Sequence, residues 1–259
     1  MKKVLSIAGS DPSGGAGIQA DIKTITAHKH YAMAVIVSLT AQNTTAVSGV
    51  LDCLPEFVES QIDSVLSDIT PDAIKLGMLS NANIMHSVAK MLKQYNCKNI
   101  VLDPVMVATT GGRLMDDNAL GVYIDELFAL ARVVTPNLPE ASVLSGIEIK
   151  NIDDMRAAAI KISSYGCQSV LIKGGHFVGN ATDLLYENGE FTEFSVIKID
   201  TKNTHGTGCT LSSAIACNIA SGLNVKDSVK NAKDYVTNAL KNTIAIGHGN
   251  GPINHCWNL

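Results

Sequence analysis

The hydrophobic positions of this chain form two patterns, short runs rich in β-branched residues and longer stretches with helical spacing. The short runs fit buried strands, and they are 3–8, 34–39, 73–78, 99–106, 133–137 and 169–174. Between them lie two apolar sets with helical spacing, which are Ile62, Val65, Leu66 and Ile69, and Ile84, Val88, Met91 and Leu92. Strands that alternate with helices are typical of α/β proteins. We therefore predict a central, mostly parallel sheet flanked by helices.

The last third of the chain departs from this alternation. Two strand-like runs, 184–186 and 191–196, flank Asn188 and Gly189, and an Asn-Gly pair is a strong signal for a tight hairpin turn. We predict a small β-hairpin over 182–197, followed by helices over 209–221 and from 225 to about 242. Because no repeat, low-complexity tract or linker interrupts the chain, we expect a single domain, 1–259.

Composition narrows the class of protein. With 259 residues, of which 46% are hydrophobic and 17% charged, the chain can bury one large core. A formal charge of −4 without basic clusters argues against a nucleic-acid or anionic-membrane surface. The six cysteines are scattered without a C-x-x-C pair, which suggests neither a zinc site nor a disulfide framework.

The amino terminus is briefly similar to a signal peptide. Its apolar run stops at Asp11 and Pro12, which is too early, and no segment of the chain is long and apolar enough to span a membrane. We therefore expect a cytoplasmic protein.

A glycine-rich segment opens the predicted helix at 209. Gly206 and Gly208 allow close approach of the backbone to a ligand, and the first turn of a helix presents N–H groups and a positive dipole end to an anion. The alternative is a tight turn with Thr207 or Thr210 as the helix cap. These residues alone leave both interpretations open.

Another glycine-rich stretch, 9–17, follows the first predicted strand, and we call it the first glycine loop. Its spacing is close to that of a Walker A loop, but Gly15 stands where that motif needs a lysine. It also fits a loose dinucleotide fingerprint, yet no acidic residue lies between Asp21 and Asp52 to hold a ribose. Neither nucleotide motif is satisfied.

Polar residues follow three of the predicted strands. Asp103, Asn137 and Lys173 fall where ligands collect in α/β sheets, at the carboxyl ends of strands. Each has a structural alternative: Asp103 as a turn initiator, Asn137 as a helix cap with Glu140 at the capping-box position, and Lys173 as a lysine that only extends to solvent. The capping role and a ligand role can coexist.

Four motifs in order carry a family resemblance. They are the glycine loop within 8–21, Thr-Pro-Asn-Leu-Pro-Glu at 135–140, Lys-Gly-Gly-His at 173–176 and Asn-Thr-His-Gly-Thr-Gly-Cys at 203–209. Together they resemble the hydroxymethylpyrimidine/phosphomethylpyrimidine kinases of thiamine biosynthesis, which belong to the ribokinase-like superfamily. The resemblance runs from about Lys3 to Pro252. It implies a three-layer ribokinase-like α/β fold with a small β-hairpin extension.

The resemblance also implies an activity. Such enzymes use ATP and Mg²⁺ to phosphorylate 4-amino-5-hydroxymethyl-2-methylpyrimidine and then its monophosphate, and we expect a homodimer. In a pyridoxal kinase of the same branch, a residue such as methionine would be expected in place of Gln42. Two alternatives come from other classes. A dinucleotide-dependent oxidoreductase is disfavoured because the acidic residue that would hold the ribose is absent. A non-catalytic nucleotide-binding module is disfavoured because it would not need Asp103, Lys173 and Cys209 together.

Roles for individual residues follow from the resemblance. The amides of Gly206, Thr207 and Gly208 would cradle the transferred phosphoryl group, Lys173 would steady the triphosphate, and Thr204 would contact the nucleotide. Asp103, Asn137 and Glu140 would form the magnesium and water network. Cys209 would act as the base, because a helix N-terminus favours a thiolate. The structural alternative for Cys209 is a small buried side chain, as we expect for Cys217.

The substrate pocket is expected over the first glycine loop. By resemblance, it is lined by Gly9, Ala16, Asp21, Gln42, Met78, Val105 and Cys209. Gln42 can offer both a donor and an acceptor to the edge of an aminopyrimidine. The alternatives are a Gln42 satisfied by backbone, core positions for Met78 and Val105, and a first-turn helix acid for Asp21.

Overall fold

The backbone combines one large sheet with one small sheet and helices on both faces. A computed structural model describes residues 1–106, 119–175 and 180–259. The strands are β1 (Lys3–Ala8), β2 (Tyr31–Ile36), β3 (Ser38–Gln42), β4 (Val47–Asp52), β5 (Ala73–Leu76), β6 (Ile100–Leu102), β7 (Ala131–Val134), β8 (Ser169–Ile172), β9 (Asn180–Glu187) and β10 (Glu190–Ile197). The helices are α1 (Gly17–Ala27), α2 (Pro55–Leu66), α3 (Ala82–Gln94), α4 (Ala119–Val122), α5 (Leu138–Ser145), α6 (Ile152–Ser163), α7 (Thr207–Ala220) and α8 (Val225–Lys241).

The large sheet has the order β10-β9-β8-β7-β6-β5-β1-β2. Within this sheet, the strands β2, β1, β5, β6, β7 and β8 are parallel to their neighbours. β9 is antiparallel to β8 and β10 is antiparallel to β9, and these two strands form one edge. All the parallel strands therefore present their carboxyl ends at the same edge of the sheet, where a ligand site is expected. The predicted mostly parallel α/β sheet is confirmed.

Helices cover both faces of the sheet and give three layers. On one face, apolar side chains of α2, α3 and α6, such as Ile62, Val88 and Ile162, pack on the sheet. On the other face, residues of α1, α7 and α8 do so, such as Ile25 and Ile215. The strands serve both layers because successive side chains point to opposite faces. The three-layer fold expected from the resemblance is confirmed.

The predicted hairpin forms, and it joins the main sheet. Asn188 and Gly189 adopt φ values of +52° and +83°, which fit the two central positions of a type I′ turn. β9 pairs with β10 on one side and with β8 on the other. The hairpin thus extends the sheet edge beside the carboxyl end of β8.

One predicted strand, 34–39, is wrong, because the structure divides it between two sheets. β2 ends at Ile36, and β3 begins at Ser38 and pairs with β4 in a separate two-stranded sheet. The N–H of Val37 donates to the carbonyl of Ala8, while its own carbonyl accepts from Cys53. This change of partner needs no glycine or proline, so the sequence pattern does not mark it. Its consequence is that β3 carries Gln42 across the first glycine loop.

Several other runs are shorter as strands than their apolar pattern. The predicted runs 73–78, 99–106, 133–137 and 169–174 end as strands at Leu76, Leu102, Val134 and Ile172. Their remaining residues form the loops at the carboxyl edge of the sheet. In the described residues, none of the helices combines the length and apolarity needed to cross a membrane.

A buried polar cluster connects four elements just beneath that edge. The carboxylate of Asp21 in α1 accepts from Lys75 Nζ of β5 at 2.8 Å, from Ser6 Oγ of β1 at 2.6 Å and from Ser213 Oγ of α7 at 2.7 Å. We call Ser6, Asp21, Lys75 and Ser213 the Asp21 cluster; all four are fully buried. Burial lowers the pKa of Lys75, but Asp21, Cys209 and Asp103 together raise it more, so the pKa lies above its ordinary value and the lysine stays charged.

The Asp21 cluster gives a stability prediction. We expect Lys75→Met to lower the free energy of unfolding by about 3–5 kcal/mol, because it leaves the Asp21 carboxylate buried without its counter-ion. The matched control is Lys2→Met, which breaks a surface pair with Asp72 at 3.2 Å and should cost less than about 1 kcal/mol. Urea unfolding followed by circular dichroism measures both. Equal losses in the two variants would contradict a structural role for the buried pair.

Candidate active site

A single cavity of about 770 Å³ lies at the carboxyl ends of the parallel strands. Its volume is in the range that holds a small molecule and a cofactor. All but one of the site residues expected from the sequence line it, and these are Gly9, Ala16, Gln42, Met78, Asp103, Val105, Asn137, Glu140, Lys173, Thr204, Gly206, Thr207, Gly208 and Cys209. The motif residue His176 lies outside the described residues.

Asp21 is the expected site residue that does not line the cavity. Its side chain is held behind the cavity wall by Lys75 and by two serines of the Asp21 cluster. The alternative of a first-turn helix acid also fails, because Asp21 is the fifth residue of α1. The sequence alone does not identify Lys75 as the partner of Asp21, because Lys75 lies in an otherwise apolar strand far along the chain.

The glycine-rich segment 203–209 begins α7 without a side-chain cap. Gly206 is the N-cap, with φ of +80°, and among the described residues no side chain caps this helix. The hydroxyl of Thr210 is buried without a partner in the same part of the structure. The interpretation of Thr207 or Thr210 as the cap is therefore wrong.

The N-terminus of α7 remains available to an anion. The Thr207 N–H donates to the carbonyl of Thr204 at 3.2 Å, and the first-turn amides that follow have no acceptor within the helix. These amides face the cavity together with the positive end of the helix dipole. This geometry favours the anion-hole interpretation.

The first glycine loop is organised by a carboxylate that the sequence analysis missed. Asp11 accepts hydrogen bonds from Ser13 N and Oγ, from Gly15 N, from Ala16 N and from His205 Nε2, at 2.7–3.2 Å. Burial raises the pKa of Asp11, but the hydrogen bonds from His205 and Ser13 lower it more, so the pKa lies below its ordinary value. An aspartate directly before a Pro-Ser-Gly-Gly turn was the available signal for this role.

The two glycine-rich segments touch. A Cβ on Gly206 would collide with the carbonyl oxygen of Gly15, and a Cβ on Gly15 would collide with the ring of His205. Both positions therefore need glycine for close approach.

Asp103 and Lys173 form an ion pair at the centre of the cavity. Lys173 Nζ lies 2.7 Å from Asp103 Oδ1, which also accepts from Thr135 Oγ1 at 2.9 Å. Burial raises the pKa of Asp103, but Lys173 and Lys75 lower it more, so it lies below its ordinary value. Burial lowers the pKa of Lys173, but Asp103 and Glu140 raise it above its ordinary value. Both groups are charged at neutral pH.

Glu140 caps helix α5 and faces the cavity at the same time. Its Oε2 accepts from Asn137 N at 2.7 Å, and Asn137 Oδ1 accepts from Glu140 N at 2.9 Å, so the predicted capping box is present. Burial raises the pKa of Glu140, Lys173 lowers it and Asp103 raises it, and the resulting pKa is about 7. The capping role and a ligand role are compatible in this geometry.

The donor set of the cavity suits magnesium. The described residues contain no cluster of three or more His, Cys, Asp or Glu side chains arranged as a complete metal cage. Mg²⁺ is usually held by one or two carboxylates together with water and substrate phosphates. Asp103 and Glu140 can supply that share of the ligands.

Cys209 lies in the first turn of α7 and is half-buried against the cavity. Burial raises the pKa of its thiol to about 11; Lys75 lowers it, whereas Asp21 and Asp103 raise it. The expected stabilisation of a thiolate by the helix N-terminus is thus outweighed by burial and by the two carboxylates. Only a very small fraction of Cys209 is thiolate at neutral pH.

An apolar surface at the hairpin end of the cavity was not predicted. It is formed by β10, the residues after it and α8, and its members are Val196, Ile199, Val236 and Leu240. Beside it, Lys233 Nζ lies 2.6 Å from Asp183, which also accepts from Gly174 N at 2.9 Å. We call Val196, Ile199, Val236 and Leu240 the hairpin shelf. In the sequence these four residues cannot be distinguished from ordinary core residues.

The contact between the glycine segments gives a second prediction. We expect Gly206→Ala to weaken ADP binding by roughly tenfold or more, since a methyl group at this positive φ forces the loop and its amides to move. Gly49→Ala is the control, because a Cβ at Gly49 in β4 meets only Ala41 at ordinary contact distance. Isothermal titration calorimetry measures both affinities. Wild-type affinity in Gly206→Ala would show that the α7 terminus does not hold phosphate.

Comparison with known proteins agrees with this geometry. The chain matches the phosphomethylpyrimidine kinase family over residues 11–254. It is 46% identical over 253 residues to the thiamine biosynthesis bifunctional protein ThiED of Geobacter sulfurreducens; the match covers 97% of the chain but only about half, 52%, of that relative. It is 42% identical over 255 residues to the hydroxymethylpyrimidine/phosphomethylpyrimidine kinase of Bacillus subtilis, covering 98% of the chain and 94% of the relative.

A solved structure has the same fold. The ADP complex of Bacillus subtilis pyridoxal kinase superposes with a TM-score of 0.92 at 38% identity, covering 98% of this chain and 97% of that one. The family match, the relatives and the arrangement of the cavity lead to one conclusion. The chain belongs to the phosphomethylpyrimidine kinase family.

Proposed function

We propose that this protein is an ATP-dependent kinase that phosphorylates 4-amino-5-hydroxymethyl-2-methylpyrimidine and then its monophosphate. One observation carries the proposal. One cavity brings an uncapped helix N-terminus and the partly buried Lys173–Asp103 pair together with the apolar side chains of Met78 and Val105 and the amide of Gln42. Phosphoryl transfer needs this combination of charge neutralisation, an anion hole and an aligned hydroxyl.

The nucleotide fits the hairpin end of the cavity. The hairpin shelf offers an apolar surface for a planar base, and Thr204 lines the same cavity two residues before the α7 cap Gly206. The phosphates then reach Lys173 and the turn formed by Gly206, Thr207 and Gly208, where the Gly208 amide has no acceptor within the helix. The likeness to a kinase solved as an ADP complex supports a nucleotide site in this fold.

The alcohol substrate fits the opposite end. Met78 packs against Gly9 and, with Val105, offers apolar contact to a ring, while Gln42 supplies the polar contact. Ala16 and the first glycine loop form the adjoining wall. A substrate monophosphate would place its anion near the same α7 terminus, which supports the second phosphorylation.

Magnesium would be held by Asp103 and Glu140, with Asn137 beside them. When bound, it neutralises charge on the phosphate oxygens. Lys173 contributes a fixed positive charge at the same place, because its ion pair with Asp103 keeps it oriented into the cavity.

Cys209 is placed to accept a proton during transfer. The substrate hydroxyl oxygen forms a bond to the γ-phosphorus, the bond from that phosphorus to ADP breaks, and the hydroxyl proton passes to the thiolate form of Cys209. That form is scarce but strongly basic, since the thiol pKa is about 11. Most of the acceleration then comes from positioning and electrostatics.

A pyridoxal kinase is the alternative, and a solved pyridoxal kinase shares the fold. Gln42 favours the aminopyrimidine, because its amide complements an edge with one donor and one acceptor. The homodimer and the cytoplasmic location expected from the sequence stay predictions.

The activity itself is the third prediction. With magnesium and ATP, we expect the purified protein to convert hydroxymethylpyrimidine to its monophosphate and then its diphosphate, with less product from pyridoxal. Mass spectrometry of the products measures this. Folded protein that gives no phosphorylated pyrimidine would contradict the proposal, and faster conversion of pyridoxal would favour the alternative.

Cys209 gives the fourth prediction. We expect Cys209→Ala to lower kcat by about 10²-fold with little change in the KM for ATP, because proton transfer is lost while the phosphate site remains. In wild type, kcat should rise between pH 7 and 9, since the thiolate is the active form and its pKa lies above this range.

The Cys209→Ala variant should not show this rise of kcat between pH 7 and 9. Cys217→Ala is the matched control, since Cys217 lies two turns later in α7, is fully buried in the core and does not line the cavity. A Cys209→Ala enzyme with normal turnover would assign Cys209 to packing.

A further inference from the structure

The small sheet of β3 and β4 carries Gln42 on a largely exposed arm. We call residues 38–52 the β3–β4 arm. Within 39–52, all of which the structure describes, Thr44 alone is buried. Thr44 lies in the turn between the two strands, and its neighbours Asn43 and Thr45 are exposed. A two-stranded hairpin by itself is only marginally stable in water, so the arm depends on its contacts with the rest of the chain.

Contacts near the start of the arm leave Gln42 loosely held. Ser10 N donates to the carbonyl of Ser38 at 2.8 Å, and Thr40 Oγ1 donates to the carbonyl of Ser10 at 2.8 Å. Gln42 lies beyond these bonds, and its side-chain contacts are long, at 3.3 Å to Thr40 Oγ1 and 3.4 Å to His205 Nε2. The place of Gln42 therefore depends on how the turn that follows it is held.

That turn is held by a glycine-rich segment near the end of the chain, 247–251, which we call the strap. Gly249 N donates to Thr44 Oγ1 at 3.2 Å. A Cβ on Gly249 would collide with the carbonyl oxygen of Thr44, and a Cβ on Gly247 would collide with the hydroxyl of Thr44. Both positions need glycine so that the strap can approach the turn closely.

The strap is also fixed to the segment that leads into α7. The carbonyl of Gly251 accepts from His205 N at 3.0 Å, and a Cβ on Gly251 would collide with Asn203 Oδ1. Just before the strap, the carbonyl of Ile244 accepts from Asn203 Nδ2 at 3.3 Å. Since His205 directly precedes the α7 cap, the strap connects the turn of the β3–β4 arm with the N-terminus of α7.

We propose that Gly247 and Gly249 are positioning residues, which hold the arm at Thr44 and so fix the distance between Gln42 and the α7 terminus. In the proposed reaction, Gln42 binds the aminopyrimidine ring and the α7 terminus receives the phosphoryl group. The hydroxymethyl group on the ring must reach that phosphoryl group, and a displacement of about 1 Å can cost about 10²-fold in rate. The identity of both ligands rests on the proposed function.

Gly249→Ala tests the strap. The backbone of Gly249 is outside the left-handed region, and the atoms nearest to an added methyl group all belong to Thr44 and Thr45. We expect about tenfold weaker binding of hydroxymethylpyrimidine in calorimetry and about tenfold lower kcat, with unchanged affinity for ADP.

Gly49→Ala is the matched control, because it adds the same methyl group to the same arm at 3.7 Å from Ala41 Cβ. It should change neither binding nor turnover. Normal binding and turnover in Gly249→Ala would overturn the proposal. An equal loss of ADP affinity would also overturn it, because the damage would then not be confined to the arm.

A double-mutant cycle shows whether the effect passes through Gln42. In the Gln42→Met background, Gly249→Ala should weaken the binding of hydroxymethylpyrimidine by less than about twofold, because the side chain that the strap positions is absent. Equal losses in the two backgrounds would overturn the proposal.

Two variants of Thr44 give a milder test that does not rely on a collision. Thr44→Val removes the acceptor of the Gly249 N–H and keeps the shape of the side chain, whereas Thr44→Ser keeps the acceptor. We expect Thr44→Val to weaken the binding of hydroxymethylpyrimidine about fivefold and Thr44→Ser to stay near wild type. Equal affinities in the two variants would overturn the proposal.

Hydrogen exchange followed by mass spectrometry tests the strap without any ligand. Amides of 38–52 should exchange faster in Gly249→Ala than in wild type, while exchange in β5, β6 and β7 should be unchanged. Unchanged exchange in the arm would overturn the proposal. Failure of the wild-type protein to bind hydroxymethylpyrimidine would instead contradict the proposed function, so the two failures are distinguishable.

Discussion

The buried ion pair between Lys75 and Asp21 is the contact on which the site depends. It joins β1, α1, β5 and α7 through Ser6 and Ser213, and each of these elements delivers part of the cavity. β1 leads into the first glycine loop, β5 into Met78, and α7 begins at the uncapped turn of Gly206. A charge pair without access to water tolerates little displacement, because any gap leaves a desolvated charge. The pair therefore holds the walls of the site in one relative position.

A second set of charges lies above this pair and faces the ligand. Lys173 and Asp103 stabilise one another in their charged forms, while Glu140, buried beside Asp103, has its pKa raised to about 7. In this arrangement neither sign of charge dominates, which suits the phosphates and divalent cation of the proposed reaction. The Cys209 thiol is affected by the same fields and stays protonated at neutral pH.

The sequence predicted the architecture because it follows from local patterns, whereas most of the cavity lining was implied by the resemblance to a known kinase family. The strand runs, the Asn188-Gly189 turn and the Asn137 capping box each depend on residues close together in the chain. The break at Val37, the position of Asp21 behind the cavity wall and the raised pKa of Cys209 each depend on residues distant in the chain. The same applies to the hairpin shelf and to the pairing of Asp11 with His205. Local pattern identifies the groups, and the fold determines which of them meet.

The contact between Asp11 and His205 also has a consequence for how the molecule assembles. The two residues are 194 positions apart, and the backbone of His205 is held in turn by Gly251 and Ile253. Contacts between residues so distant in sequence form more slowly than local contacts, because the entropy of closing the loop is lost before the contact stabilises the chain. The parallel strands can pair progressively along the chain, whereas the junction of the glycine-rich segments needs its final part. The contact between Asp11 and His205 thus links residue 11 to residues 251–253, and this wall of the cavity is complete only when both segments are in place.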